Sequence, residues 1–303
     1  GAPDEWEMVL VATSAVWASV SDLVAGDEVL PCQAHRLAQL AALLLARFHA
    51  WGAEWGEHLT TRLSEADAPS GPVAASAHRK GEEEMASLGA LSHDLASLAE
   101  LAEDPLPGML ASAAGPSSAQ ARPLVEQLVQ APRAQLLALS LSLRVSLASA
   151  LFARCAEPLA AVRAVTSQYR MTNKPPPTKP SLYVKGALQP IKTSLTPGGA
   201  LASLSPPSRR AVVREVVDRL AGRYHDLVQE LLVSVRKLGQ TLRKLAKAPA
   251  GTGEAAGMSD DKKIYLQVLL DVEALLAEVR EVTRGTPSGS ADTDAAVGEA
   301  GEA

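Results

Sequence analysis

The chain has 303 residues, of which 47% are apolar and only 3% are aromatic. That length suffices for two domains of ordinary size or for one long rod. A core of Ala, Leu and Val favours closely packed helices over a β sandwich, which usually needs more β-branched and aromatic side chains. The net charge of −5 excludes no class of partner. The two cysteines, Cys32 and Cys155, fit no metal-binding or redox spacing, which predicts a reducing compartment.

The first part of the chain is predicted to be helical with loose connections. Apolar residues recur at helical spacing in three segments, which predicts helices over 6–24, 33–63 and 82–103. The stretches 64–81 and 108–121 are rich in Ala, Ser, Pro and Gly and are predicted to be loops.

The segment 136–153, LLALSLSLRVSLASALFA, admits three interpretations. Its leucines alternate with other residues, which is the period of a strand, but β-branched residues are almost absent and no other strand is predicted for pairing. As a membrane span it would place Arg144 near the bilayer centre, at a cost of about 3 kcal/mol. We therefore predict a buried helix, which continues past Pro158 with a kink to about residue 168.

A proline-rich strip then interrupts the helices. Residues 172–184 read TNKPPPTKPSLYV, with four prolines in thirteen residues. Proline fixes φ, lacks an amide donor and pushes the preceding residue toward extended geometry. The strip is therefore predicted to be an extended connector, and helical spacing of apolar residues resumes over 182–193.

Two long helices are predicted in the C-terminal region. From Val213 to Leu245 the apolar residues step by threes and fours, which is typical of a bundle or coiled-coil helix over 206–247. A Gly/Ala loop over 249–257 leads to a last helix, and this short connection predicts that the two helices lie antiparallel. The tail 285–303 holds mainly Gly, Ser, Ala and acidic residues and is predicted to be disordered.

The predicted fold class is therefore all-α: an elongated helical bundle or rod with long antiparallel helices and disordered loops and tail. The chain is predicted to comprise a helical region with loose loops, a proline-rich crossing segment, a C-terminal helical region and an acidic tail. The boundaries of these regions are 1–168, 169–193, 194–284 and 285–303.

Two stretches of the chain resemble one known family. They are YRMTNKPPPTKPSLYVKGALQP, residues 169–190, and GMSDDKKIYLQVLLDVEAL, residues 257–275. Both are similar to the C-terminal region of subunit 2 of the conserved oligomeric Golgi complex. Two long matches in the right order are far more specific than one short motif.

This resemblance implies a non-catalytic subunit of a Golgi vesicle-tethering complex, acting in intra-Golgi retrograde transport and Golgi organisation through protein–protein contacts. It implies no cofactor and a peripheral position on the cytosolic face of the Golgi membrane. The implied partners are the other subunits of the complex, SNAREs, Rab-type GTPases and golgins.

The sequence shows no residue pattern that is typical of a catalytic or metal-binding site. The six histidines form no HExxH-type pair, and His49 and His58 lie nine residues apart on opposed sides of a helix. Asp260 and Asp261 fall in the first turn of a predicted helix, where acidic residues are stabilising in themselves. No catalytic, cofactor-binding or metal-binding residue is predicted.

A structural role is predicted for the proline-rich strip, which ends one helix and restarts the next at a set angle. Prolines lower the entropy cost of holding such a crossing, although a polyproline ligand for an SH3-type domain is an alternative. The predicted crossing residues are Tyr169, Pro177, Pro180, Tyr183 and Val184.

A binding role is predicted for the basic end of the long helix. The residues there are Arg236, Lys237, Arg243, Lys244 and Lys247. They are predicted to make a salt-sensitive contact with an acidic partner surface or with anionic Golgi lipid. The alternative function is a cytosolic helical lipid-binding or enzyme module that uses this basic helix, 236–247. Nucleic acid is not a predicted partner, because no aromatic residues are interleaved with the basic ones.

Overall fold

The computed structural model describes residues 10–25, 33–66, 74–113, 118–170, 172, 174–245 and 258–284. Within these residues the chain forms nine α-helices, one 3-10 helix and no strand, so the predicted all-α class is confirmed. The α-helices are α1 (Val11–Ala25), α2 (Ala34–Ala66), α3 (Ala74–Glu103), α4 (Pro105–Ala113), α5 (Ser118–Ala156), α6 (Val165–Tyr169), α7 (Leu182–Leu195), α8 (Pro206–Leu245) and α9 (Asp260–Arg284).

The chain divides into two compact units. Unit 1 comprises Gly1–Ala150 with Ser194–Ser205, and unit 2 comprises Leu151–Thr193 with Pro206–Ala303. The end of α5 belongs to unit 2, where it packs with the C-terminal helices. Arg219 of α8, for example, lies 4.4 Å above the ring of Phe152.

In unit 1, helix α2 approaches its neighbours closely through glycines on its inner face. A Cβ atom at Gly52 would lie 3.4 Å from the Leu95 side chain, and one at Gly56 would lie 2.7 Å from the Leu143 side chain. The rest of this inner face is apolar and recurs at helical spacing, but Leu40, Trp51 and Trp55, which were expected in the apolar face, are exposed. Its buried residues are Ala38, Ala41, Leu45, Phe48, Leu59 and Leu63.

The alternating segment 136–153 is helical throughout and lies in α5, so the predicted helix is confirmed, but the prediction that it is buried holds for one side only. Leu136 and Leu147 are buried, whereas Leu141 and Val145 are exposed, which is the burial pattern of a helix that packs on one side. Among the described residues, the helical run Arg122–Tyr169 is long and apolar enough to cross a membrane by length and composition alone. Of its most apolar stretch of 18 residues, 33% is buried in the protein. This criterion alone is weak evidence for a span, since core helices also meet it.

A pair of serines joins α5 to α3 inside unit 1. The Ser92 hydroxyl donates to the Ser140 carbonyl oxygen at 3.0 Å, and the Ser140 hydroxyl donates to the Ser92 carbonyl oxygen at 2.7 Å. Both serines are buried. Small side chains that satisfy each other's polar groups let two helices pack closely, which explains a serine in the apolar face of α5.

Two of the predicted loops are wrong in part. Helix α3 includes residues 74–81, and α4 occupies much of the first half of the predicted loop 108–121. Alanine is the strongest helix former, and Pro105 stands at the first position of α4, where a missing amide hydrogen is not needed. Residues 64–66 belong to α2 and residues 118–121 to α5. Residues 67–73 and 114–117 lie outside the described residues, as do the predicted loop 249–257 and the tail.

In unit 2, α8 and α9 run antiparallel, as predicted. A Cβ atom at Gly239, late in α8, would lie 3.1 Å from the carboxylate of Asp261 at the start of α9. Tyr224, about four turns earlier in α8, bonds to Tyr183, which also bonds to Asp271 in the middle of α9. The predicted kink at Pro158 corresponds to the 3-10 helix Glu157–Ala164.

Apolar stripes on α8 and α9 form the core of unit 2. The predicted stripe residues of α8 that are buried are Val213, Val216, Leu220, Tyr224, Leu227, Leu231 and Val235. On α9, Ile264, Val268, Leu275 and Val282 are buried, and two polar residues of the same helix, Gln267 and Asp271, are buried with them.

Candidate functional site

The proline-rich strip leaves α6 at Arg170, whose backbone is extended, with φ −75° and ψ 130°. It returns to helix at Leu182, the first residue of α7. Between these points the described residues form no helix. Such a segment cannot satisfy its polar groups by local hydrogen bonds, so its fixed position depends on contacts with other elements.

Asp271 of α9 is the main acceptor for this strip. Its side chain is fully buried and accepts four hydrogen bonds from neutral groups. The Ser181 amide donates at 2.6 Å, and the Ser181 hydroxyl donates at 2.8 Å. The Tyr183 hydroxyl donates at 2.7 Å, and the Gln267 side-chain amide donates at 2.8 Å. A buried carboxylate is stable only when its lone pairs are satisfied, and these four donors do so.

Gln267, one helical turn before Asp271, holds the other part of the strip. Its side-chain oxygen accepts a hydrogen bond from the Tyr169 hydroxyl at 2.8 Å, and its amide nitrogen donates to the Lys179 carbonyl oxygen at 3.1 Å. Gln267 therefore contacts one residue before and one residue after the three consecutive prolines, 175–177. We call this set, namely Tyr169, Ser181, Tyr183, Gln267 and Asp271, the polar clamp.

The polar clamp extends to α8 through Tyr224. The hydroxyls of Tyr183 and Tyr224 lie 3.3 Å apart, and their ring centroids are 6.4 Å apart. Burial raises the pKa of Tyr183, and its hydrogen bonds to Tyr224 and Asp271 raise that pKa further. Burial also raises the pKa of Tyr169, and the negative charge of Asp271 raises that pKa further. The tyrosines therefore remain neutral donors beside the carboxylate.

Charged contacts secure the two ends of this region. Arg170 donates to the Val235 carbonyl oxygen of α8 at 3.2 Å and lies 3.5 Å from the Asp261 carboxylate. Lys192 of α7 donates to Glu278 and to Glu281 of α9, both at 2.7 Å. These hydrogen bonds raise the pKa of Lys192. The strip and α7 are thus joined to α9 over most of its length.

The predicted crossing residues differ in their surroundings. Tyr169 and Val184 are buried, Tyr183 and Pro177 are half-buried, and Pro180 is exposed. Sequence reasoning did not find the partners of the tyrosines on α9. Asp271 and Gln267 lie in the second stretch of family resemblance, residues 257–275, but their roles were not predicted. The available signal was Asp271 itself, a carboxylate at the i+3 position from Val268 and the i−4 position from Leu275.

The predicted basic cluster is described only in part. Arg236 and Lys237 are exposed on α8. The side chains of Arg243 and Lys244, and the whole of Lys247, lie outside the described residues. Among the described residues, no three or more His, Cys, Asp or Glu side chains are placed to hold a metal ion.

The described chain is thus an all-helical protein in which a proline-rich strip is fixed to a helix by a buried polar clamp. The family described as COG complex component, COG2, C-terminal, matches residues 2–272, which includes Asp271. The chain therefore belongs to this family.

Curated relatives support the same assignment. The chain is 32% identical over 126 residues to conserved oligomeric Golgi complex subunit 2 of Dictyostelium discoideum, covering 41% of this chain and 14% of the relative. It is 34% identical over 119 residues to the protein of the same name from Homo sapiens, covering 38% of this chain and 16% of the relative. The chain thus matches only a small part of these proteins' length. No solved structure matches it.

Proposed function

We propose that the chain acts as part of a non-catalytic subunit of a Golgi vesicle-tethering complex. Its role would be in intra-Golgi retrograde transport and Golgi organisation, through contacts with other subunits, SNAREs, Rab-type GTPases and golgins on the cytosolic face of the membrane. The family assignment carries this proposal, because the family is described as a component of the COG complex. The relatives are named as subunits of the oligomeric Golgi complex.

The polar clamp supports a scaffold role. It fixes α7 against α9 without requiring a continuous helix, so the surfaces of these elements keep one relative position. A pre-organised surface loses less conformational entropy on binding than a mobile one. In this proposal Tyr169, Pro177, Pro180, Tyr183 and Val184 keep the crossing in place and make no contact with partners.

The basic end of α8 is the proposed contact site. Arg236 and Lys237 are exposed there, and Arg243, Lys244 and Lys247 follow in the sequence. Such a cluster attracts acidic groups, whether carboxylates of a partner protein or phosphates of anionic Golgi lipid. Single surface ion pairs contribute at most about 1 kcal/mol, so the cluster would act as a group.

The test is a fivefold charge reversal at positions 236, 237, 243, 244 and 247 in the intact subunit. The variant should show weaker Golgi recruitment, while its melting temperature stays unchanged. A matched control reverses three exposed basic residues elsewhere in unit 2, at Lys185, Arg214 and Arg223, and should be recruited normally. Binding that involves the cluster should also weaken as salt rises from about 0.1 to 1 M, since the Debye length falls from about 10 to 3 Å.

Two further measurements identify the acidic partner. Loss of co-purified protein with unchanged binding to anionic vesicles indicates a protein surface, and the opposite result indicates lipid. Normal localisation and normal assembly of the fivefold variant would show that the cluster is only a solvated face. The tethering role itself is tested separately, by whether the unmodified subunit co-purifies with the complex from cells.

A further inference from the structure

Helix α9 carries a second apolar stripe beside the one that it buries. Tyr265, Leu269 and Leu276 are 39%, 53% and 50% exposed, and Val272 between them is half-buried. Their spacing of four, three and four residues is the repeat that one helix presents to another in a coiled coil. We call these four residues the outer stripe. A contiguous row of half-exposed apolar side chains differs from isolated surface leucines, which need no explanation.

The inner face of α9 is already occupied within unit 2. Ile264, Val268 and Leu275 are buried there, and the polar clamp and Lys192 take up Gln267, Asp271 and Glu278. The outer stripe therefore lies on a helix that is held rigidly from behind. A rigid helix face with heptad spacing is suited to receive one further helix.

The charges beside the outer stripe define the partner. The exposed charged residues of α9 are Lys262, Glu273, Arg280, Glu281 and Arg284. Glu281 already pairs with Lys192, which leaves three basic residues and one acidic residue beside the outer stripe. An acidic helix would complement this face. A second copy of this chain would not, because an antiparallel pair brings Lys262 of one copy near Arg280 of the other, and a parallel pair places each basic residue beside its equivalent.

We propose that the outer stripe of α9 docks an amphipathic helix of another protein, whose apolar heptad positions are flanked by Asp and Glu. This site is distinct from the basic end of α8, and the proposal does not depend on which Golgi partner the whole subunit binds. The apolar residues would supply most of the affinity. The basic residues would select an acidic helix and exclude a basic one.

The experiment uses two synthetic peptides of about four heptads, both with Leu at the a and d positions. One has Glu at the flanking positions and the other has Lys. Fluorescence anisotropy with the whole chain should show binding of the Glu peptide and at least about tenfold weaker binding of the Lys peptide. The double variant Leu269→Glu, Leu276→Glu should lose at least about tenfold in affinity for the Glu peptide.

Two further variants complete the test. The triple reversal Lys262→Glu, Arg280→Glu, Arg284→Glu should invert the preference, so that the Lys peptide binds more tightly. The control Val233→Glu changes another exposed apolar residue, on α8, and should bind the Glu peptide normally. All variants should melt like the unchanged chain, since the substituted side chains are exposed or half-exposed.

Four results would overturn the proposal. The first is that neither peptide binds, and the second is that both peptides bind equally. The third is that the chain binds vesicles of phosphatidylcholine and phosphatidylserine through Leu269 and Leu276 without binding either peptide, which would assign the stripe to a membrane. The fourth is self-association in sedimentation that the double variant abolishes, which would assign the stripe to a second copy.

Discussion

At the scale of single residues, the contacts of Asp271 show most clearly how unit 2 is held together. It is fully buried, and its four hydrogen-bond donors are neutral groups. A buried charge that loses its donors costs several kcal/mol, so both the carboxylate and its donors depend on this arrangement. Three of the four donors come from Ser181 and Tyr183 on the strip and α7, which makes Asp271 the point where the two stretches of family resemblance meet.

Replacement of Asp271 should depend on whether the new side chain can still accept hydrogen bonds. In Asp271→Asn, the remaining oxygen can receive the two amide donors, and the new amide group can donate to the hydroxyls of Ser181 and Tyr183. The expected loss of unfolding free energy is about 1 kcal/mol for Asn and about 3 kcal/mol for Ala, which leaves all four donors unsatisfied. Urea denaturation of the two variants measures the difference, and equal losses would contradict this account.

Tyr183 should contribute through both its ring and its hydroxyl. Tyr183→Ala removes the ring that lies beside Tyr224, with an expected loss of about 2–4 kcal/mol. Tyr183→Phe removes only the donor to Asp271, with an expected loss of about 1 kcal/mol. A double-mutant cycle of Tyr183→Phe with Asp271→Asn should show a coupling of about 0.5 kcal/mol or more. An unchanged melting curve for Tyr183→Ala would show that the strip is not anchored.

The sequence allowed Tyr183 to be singled out, because it lies in a stretch of family resemblance. It did not allow its partner to be named, because Asp271 follows 88 residues later and periodicity describes only neighbours along the chain. An acidic residue inside an apolar stripe is a local signal of a buried polar contact. The identity of the donors depends on tertiary packing, which the order of residues does not display.

At the scale of elements, the helices were predicted where apolar periodicity was strong and missed where composition was ambiguous. The stripe of α8 is buried at the expected positions down to Val235, and that of α9 down to Val282, except that Val272 and Val279 are half-buried. The first turns of α3 and residues 108–113 of α4 were assigned to loops because Gly and Pro are common there. Proline is compatible with the first position of a helix, which is where Pro105 stands in α4.

The contact between α3 and α5 gives a prediction at this scale. Ser140 is buried against Ser92, so Ser140→Leu would introduce a larger side chain into a closely packed helix pair and leave the Ser92 hydroxyl with one acceptor fewer. The expected loss of stability is about 1–3 kcal/mol. The control Ser142→Leu, on the exposed side of α5, should change thermal stability by no more than about 0.5 kcal/mol. Similar melting temperatures for the two variants would contradict the packing described here.

At the scale of the whole molecule, unit 2 should be sensitive to alkaline pH. Burial raises the pKa of Cys155 to about 12 and also raises the pKa values of Tyr169, Tyr183 and Tyr224. In the unfolded chain these groups lose protons near pH 8.5 and pH 10, respectively. The folded chain then binds more protons than the unfolded one, so stability is full below about pH 8.5 and decreases as pH rises from there.

The measurement is the denaturation midpoint at about pH 7.5, 9 and 10.5, which brackets the unfolded pKa values. Tyr183→Phe and Cys155→Ala should each make the decrease with pH shallower, because each removes one group that titrates. Ser181→Ala removes the hydroxyl hydrogen bond to Asp271 without removing a titrating group, so it should lower stability equally at every pH. A midpoint that does not decrease above about pH 9 would contradict the assignment of these buried groups.

The separation of the polar clamp in sequence also has a consequence for how the protein is made. The hydrogen bonds from Ser181 and Tyr183 to Asp271 span 90 and 88 residues. At about 5–20 residues per second, a ribosome adds Asp271 about 4–18 s after Tyr183. Throughout that interval the newly made strip has no acceptor, and unit 2 cannot close until α9 has left the exit tunnel. A truncated messenger RNA that ends before α9 would therefore yield a chain whose proline-rich strip has no acceptor. We expect cellular quality control to recognise such a chain.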